Sequence, residues 1–322
     1  MAADYTYAVA RIRAKELQLL GKQELNALLA CKDDQQCLRL LADKGWGKEG
    51  QAQNAEDLLQ EEQKKIWLLM RELVDDVHVF DVFLVQSDFH NLKASVKAIT
   101  RSMDPSGIFL PYGTVPAQHI YESVGKRAYA ELPHALQDCA KEAMTLLLQT
   151  GDGQLCDSVI DKACLQTVRA LGMQAENEVL SLYAELTVAF ADIKIAVRCC
   201  KTGKTPAFIQ NSLAACETLN TQLLAKAASK SMEDLYAYLR FTDYAAAVEA
   251  LKQSPAAFEK WCDDLLMHQL QTQKWEPFSI GPLAAYIVAR ETEIRAVRLI
   301  LSAKRNGLDL QIVKERLRDM YV

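Results

Sequence analysis

Glycine and proline are scarce in these 322 residues, 13 and 8 respectively, which argues against a fold built on many tight turns and favours long elements with short connections. No stretch of about eighteen apolar residues is present to cross a bilayer. The opening segment, MAADYTYAVARIRAKE, is charged and amphipathic rather than a signal-peptide core. The expectation is a cytoplasmic chain with no membrane insertion. Basic residues do not exceed acidic ones: 37 Lys and Arg stand against 42 Asp and Glu, a net charge of −5. Only the last thirty-odd residues, from Arg290, are locally basic, so no nucleic-acid partner is expected. The nine cysteines are scattered without a C-x-x-C pair, and the adjacent Cys199 and Cys200 cannot form an ordinary bridge. They read as reduced, small core residues. The five histidines (78, 90, 119, 134 and 268) fall at no metal-ligand spacing, so neither a metal nor a cofactor is expected.

Alternating β-branched runs joined by Asn-Gly or Asp-Gly are also missing. What is present is helical periodicity. Tyr5, Ala8, Val9, Ile12 and Leu19 form one apolar stripe; Ile66, Leu69, Met70, Leu73, Val77 and Phe80 form another; Ile287, Ile294, Val297, Ile300 and Leu301 form a third. Breaks are expected at 43–50, 102–117, 150–154, 201–206 and 275–282, where Gly, Pro and small polar residues gather. The fold class is all-α.

Three of the helical segments align. NLKASVK begins at Asn91, DIKIAVR at Asp192 and EIRAVRL at Glu293, each 101 residues after the last. Each opens with an amide or acid, then Leu or Ile, then a cation: Asn91 with Lys93, Asp192 with Lys194, Glu293 with Arg295. A second match, at an offset of 210, pairs Leu25 with Leu235, Leu29 with Leu239, Asp33 with Asp243 and Leu41 with Leu251. A period near 100 is too long for common solenoid units. It implies three related helical domains, with approximate bounds 1–113, 114–205 and 206–322, the N- and C-terminal helices packing together.

Four stretches carry a family resemblance: YTYAVARIRAKELQLL near the start, SDFHNLKASVK at 87–97, GIFLPYGTVPA at 107–117, and the ending YIVARETEIRAVRLILSAKRNGLDLQIVKERLRDMYV. Together the chain resembles the C subunit of bacterial and archaeal V/A-type rotary ATPases, the relative of the eukaryotic V-ATPase d subunit. The resemblance implies a funnel of three similar helical domains around a pseudo-threefold axis. It also implies a non-catalytic rotor adaptor, peripheral to the membrane, between the D and F shaft subunits and the cytoplasmic face of the membrane rotor ring. Arg11, Arg13, Arg290, Arg295 and Arg298, on the family-like terminal helices, are candidate partner contacts. The repeated residues Asn91, Lys93, Asp192, Lys194 and Glu293 are read as structural locks, with polar groups facing the funnel interior as the alternative.

Two rival readings remain. A helical scaffold for another partner would satisfy the repeat alone. A nucleotide-dependent enzyme would hinge on Gly203-Lys204-Thr205, which ends like a P-loop, but the first glycine of that motif would fall at Arg198 and the preceding segment reads as helix rather than strand. Gly203 as a helix stop, Thr205 as a cap and Pro206 in a first turn account for the same letters. Adjacent acids such as Asp33-Asp34, Glu61-Glu62, Asp75-Asp76 and Asp263-Asp264 do not share a helix face, so they are expected to be solvated.

Overall fold

A computed structural model describes residues 5–48 and 54–322. Among the described residues every regular element is helical. In chain order the α-helices are α1 (Thr6–Glu16), α2 (Lys22–Ala30), α3 (Asp34–Asp43), α4 (Ala55–Leu73), α5 (Asp81–Arg101), α6 (Ala117–Gly125), α7 (His134–Thr150) and α8 (Gly153–Gln174). There follow α9 (Glu178–Lys201), α10 (Pro206–Ser212), α11 (Thr221–Ala228), α12 (Met232–Leu239), α13 (Ala247–Gln253), α14 (Pro255–Gln271), α15 (Gly281–Asn306) and α16 (Leu310–Arg316).

The starts and stops follow from local chemistry. Asn54, Asp152, Asn177, Ser231 and Ser254 each accept a backbone N–H from the first turn of the helix that follows, relieving donors that have no intrahelical partner. Gly151, Gly203 and Gly307 end α7, α9 and α15 with φ near +60°, a conformation that favours glycine because a Cβ would be strained there. The expected breaks at 150–154 and 201–206 coincide with these stops and starts, and that at 102–117 spans the connection between α5 and α6. Most of the described residues thereby lie in helix.

The chain divides into two compact units. The first joins the residues up to Val77 with Glu249–Val322. Its centre is α15, which packs on α4, α1, α3, α2 and α14 and buries Leu283, Ile287, Ile294, Val297 and Ile300. A helix buried on most of its circumference is a core element rather than a surface one. The second unit is His78–Val248, built on α5, α7 and α9 packed about α8. There α8 and α9 approach so closely that a Cβ on Gly172 would lie 2.3 Å from that of Ala184. All nine cysteines carry free thiols.

Candidate functional site

The repeat positions share a geometric role. Asn91, Asp192 and Glu293 lie on the long helices α5, α9 and α15, and none is more than 1% exposed. Each accepts the backbone N–H of a connecting loop: Asn91 Oδ1 from Leu110 at 2.8 Å, Asp192 Oδ1 from Ala214 at 3.1 Å, and Glu293 Oε1 from Leu20. Asn91 adds a second bond by donating Nδ2–H to the Leu110 carbonyl at 3.0 Å. A hydrogen bond contributes roughly 0.5–1.5 kcal/mol between neutral groups, as at Asn91, and roughly 1.5–3 kcal/mol to a charged one, and leaving the buried partner orphaned costs about 1–3 kcal/mol. The loops are therefore fastened to the helices beneath them.

Further acids reinforce the fastening. Asp88, on α5, accepts from Thr114 N at 3.1 Å, Thr114 Oγ1 at 2.6 Å and Val115 N at 3.4 Å. Glu185, on α9, accepts from Glu217 N, Thr218 N and Thr218 Oγ1 at 2.7–2.9 Å and pairs with Arg169 at 3.2 Å. Burial pushes the Asp88 carboxyl up, with its bonds from Thr114 and Val115 pulling the other way. Asp192 has less compensation: Oδ2 has no hydrogen-bond partner. Burial lifts its carboxyl to about 7 against the Ala214 N–H and the more distant Lys162.

In the terminal unit the acids meet a buried cation. Arg290 donates to Glu293 Oε2 and to Glu62 Oε2, with its guanidinium 4.9 Å from the centre of the Trp46 ring. Glu62 also accepts Gly47 N at 2.7 Å and Lys65 Nζ at 2.6 Å. Burial raises the Glu293 carboxyl to about 7, opposed by Arg290 and the Leu20 N–H. Glu62 corrects the expectation that the paired acids are solvated, since its side chain is only 3% exposed. Its position on the Leu58, Leu59, Ile66, Leu69 and Met70 face of α4 was a readable signal. Asp88 and Glu185 were missed because an isolated acid within a helical run carries no motif.

Above this cluster lies a cavity of about 370 Å³, walled by α1, α4 and the 44–46 connection, with Arg290 and Tyr286 of α15 among its lining residues. Arg11 and Arg290 thus line one site, Arg11 tied to Glu72 at 3.0 Å and to Tyr7 at 2.9 Å. The other candidate arginines lie elsewhere. Arg13 binds Glu16 at 2.7 Å and donates to the Gln273 and Glu276 carbonyls, bracing α1 against the segment before α15. Arg295 and Arg298 are exposed, the first 3.9 Å from Asp263 and the second 3.3 Å from Glu56. Of the repeat cations, Lys93 pairs with Asp161 on α8, while Lys194 is exposed.

The Gly203-Lys204-Thr205 corner is fully used by the helix end. The N–H groups of Thr202, Gly203 and Lys204 go to the carbonyls of Arg198, Cys200 and Cys199 at 3.0–3.2 Å, so they are not free to cradle a phosphate. Thr205 caps α10 through Phe208 N at 3.2 Å, and Lys204 reaches Gln154 at 2.8 Å and the Phe208 ring at 5.1 Å. Calorimetric titration with Mg-ATP is expected to show no saturable heat. Lys204→Ala is expected to lower stability by about 1 kcal/mol at most in thermal melts, the scale of one exposed cation–π contact.

The class of molecule follows from these features: an all-α chain with three long helices, α5, α9 and α15, fastened to loops through buried polar side chains. The family model for the ATP synthase (C/AC39) subunit matches residues 8–316. The chain belongs to that family. It is 24% identical to the V-type sodium ATPase C subunit of Enterococcus hirae, over 96% of this chain and 97% of that protein. It is also 24% identical to the A-type ATP synthase C subunit of Methanocaldococcus jannaschii, over 98% and 86% respectively. None of the described helices is long and apolar enough to cross a membrane.

Proposed function

We propose that this chain is a non-catalytic rotor adaptor of a V/A-type rotary ATPase, joining the D–F shaft to the cytoplasmic face of the membrane ring and passing torque between them. The observation that carries the reading is the family match across residues 8–316. Such a part is peripheral to the membrane and works in the cytoplasm, for ATP-driven ion pumping or for ATP synthesis. Close-packed interiors are stiff and transmit strain. The fastening of loops to α5, α9 and α15 suits a part that must keep its shape under load.

The same three helices support a three-part architecture, with related domains near 1–113, 114–205 and 206–322 arranged as a funnel. Its motivation is that Asn91, Asp192 and Glu293, at equal spacing, each accept a loop N–H. The partner reading is tested by mixing the purified chain with the D–F complex. Co-elution in gel filtration and a saturable heat of binding are expected; their absence overturns the reading.

A further inference from the structure

Two cysteines to which the rotor reading gives no role meet where α2 hands over to α3. Cys31 follows the last residue of α2, and Cys37 lies in the first turn of α3. Both carry free thiols and both are buried, Cys31 at 6% exposed and Cys37 at 0%. Cys31 Sγ donates to the Ala27 carbonyl at 3.4 Å and Cys37 Sγ to the Leu28 carbonyl at 3.3 Å. The two sulfurs thus sit on consecutive carbonyls of one helix end, and they lie within hydrogen-bond range of each other.

The pair is not symmetric. A surface cavity of about 330 Å³ opens onto Cys31, with Gln36, Arg39 and Asp43 as the polar residues of its wall, and Cys37 lies behind that wall. Such a volume readily admits a molecule little larger than water. The carbonyl end of α2 disfavours a thiolate at Cys31. Lys304 of α15 offsets it, donating to the carbonyls of Leu29 at 2.7 Å and of Cys31. Burial pushes the Cys37 thiol up to about 12, helped by Cys31 and opposed by Lys304, so Cys37 keeps its proton until it reacts. One thiol is reachable and the other is held in reserve beside it, the arrangement of a sensing and a resolving cysteine.

We propose that Cys31 and Cys37 form a reversible oxidation site, in which hydrogen peroxide enters the cavity, Cys31 meets it and Cys37 resolves the product. In the first step the Cys31 sulfur attacks one peroxide oxygen. An S–O bond forms, the O–O bond breaks, and the second oxygen leaves as water with the thiol proton, giving a sulfenic acid. The Cys37 sulfur then attacks the Cys31 sulfur. The S–S bond forms, the S–O bond breaks, and the hydroxyl leaves as water with the Cys37 proton. The two thiols together lose two electrons, and the peroxide gains both. Exchange with a reducing dithiol reverses the bridge.

Lys32 lies between the two cysteines, so trypsin separates residues 23–32 from 33–39 unless a disulfide joins them. The full chain is treated with hydrogen peroxide, blocked with N-ethylmaleimide and digested without reductant. Mass spectrometry is expected to find the joined pair, two hydrogens lighter than the sum of the separate peptides, and dithiothreitol is expected to split it. In Cys37→Ala, dimedone is expected to trap the sulfenic acid at Cys31. In the untreated chain N-ethylmaleimide is expected to modify Cys31 about tenfold or more faster than Cys37. If the folded wild-type chain, its helical circular dichroism unchanged by peroxide, yields the two peptides separate, whichever other cysteines are oxidised, the site is overturned without recourse to a variant. A joined pair that appears only in urea also overturns it, because the fold then does not bring the thiols together. Cys37 alkylated as fast as Cys31 overturns the assignment of their roles.

Discussion

Replacing Arg290 with methionine is expected to lower unfolding stability by about 3–5 kcal/mol near pH 9, measured by urea denaturation, the usual penalty for stripping the partner from buried charge. The side chain is 8% exposed and lies between Glu62 and Glu293, themselves 3% and 1% exposed. The two acids are not left equally stranded. Glu62 keeps Lys65 and the Gly47 N–H, whereas Glu293 keeps only the Leu20 N–H among its described partners. Most of the loss should therefore come through Glu293. The Trp46 face also loses its cation, a smaller term of about 1 kcal/mol.

The pH dependence identifies the cause. Burial already holds the Glu293 carboxyl near 7, above its ordinary value of 4.5, and removing Arg290 pushes it higher. An acid whose folded pKa is raised binds more protons folded than unfolded, so stability falls as pH rises through the window between the two values. The Arg290→Met deficit should be full above the variant's raised value and shrink as pH falls toward about 7, below which Glu293 is protonated in both folded proteins. A triple variant, Glu62→Gln with Arg290→Met and Glu293→Gln, should recover much of the loss at pH 9, because no charge then remains buried. A deficit independent of pH, unrelieved in the triple variant, would mean that packing around Trp46 dominates rather than charge.

Helix content and the main breaks were legible because they rest on local rules. The stripe Ile287, Ile294, Val297, Ile300 and Leu301 has helical spacing, and Gly203-Lys204-Thr205-Pro206 spells a stop followed by a cap. Shorter interruptions at 174–178, 229–232 and 253–255 were readable in principle from Asn177, Ser231 and Ser254, but these caps sit inside otherwise continuous helical patterns. The repeat revealed positions and not partners. Asn91, Asp192 and Glu293 could be aligned from sequence, whereas the atoms they hold lie 19, 22 and 273 residues away. No local pattern encodes a contact between Glu293 and Leu20. The cavity was hidden for the same reason. Arg11 and Arg290 were singled out as cations on terminal helices, while Lys15, Lys44 and Lys65 join them only once the fold gathers them on one wall.

At Asp192 the opposite kind of substitution is expected: Asp192→Asn should stabilise the protein by about 2–3 kcal/mol at pH 8 and by little at pH 5. The carboxylate is buried, accepts a single backbone N–H from Ala214, leaves Oδ2 without a hydrogen-bond partner and is lifted by burial to about 7. Between its ordinary value of 3.8 and about 7 the folded state binds a proton that the unfolded state does not. Ionised Asp192 therefore opposes folding, increasingly so as pH rises across that interval. An amide keeps the acceptor for Ala214 and removes the charge. The first repeat position already carries that amide: Asn91 accepts from Leu110 and returns a bond to the Leu110 carbonyl. A new buried N–H without an acceptor would offset about 1–3 kcal/mol of the gain, which keeps the expected figure modest. Guanidinium melts of both proteins from pH 5 to pH 8 decide the matter. The wild-type curve should lose stability with rising pH more steeply than the variant, and parallel curves would show that Asp192 is not the group responsible.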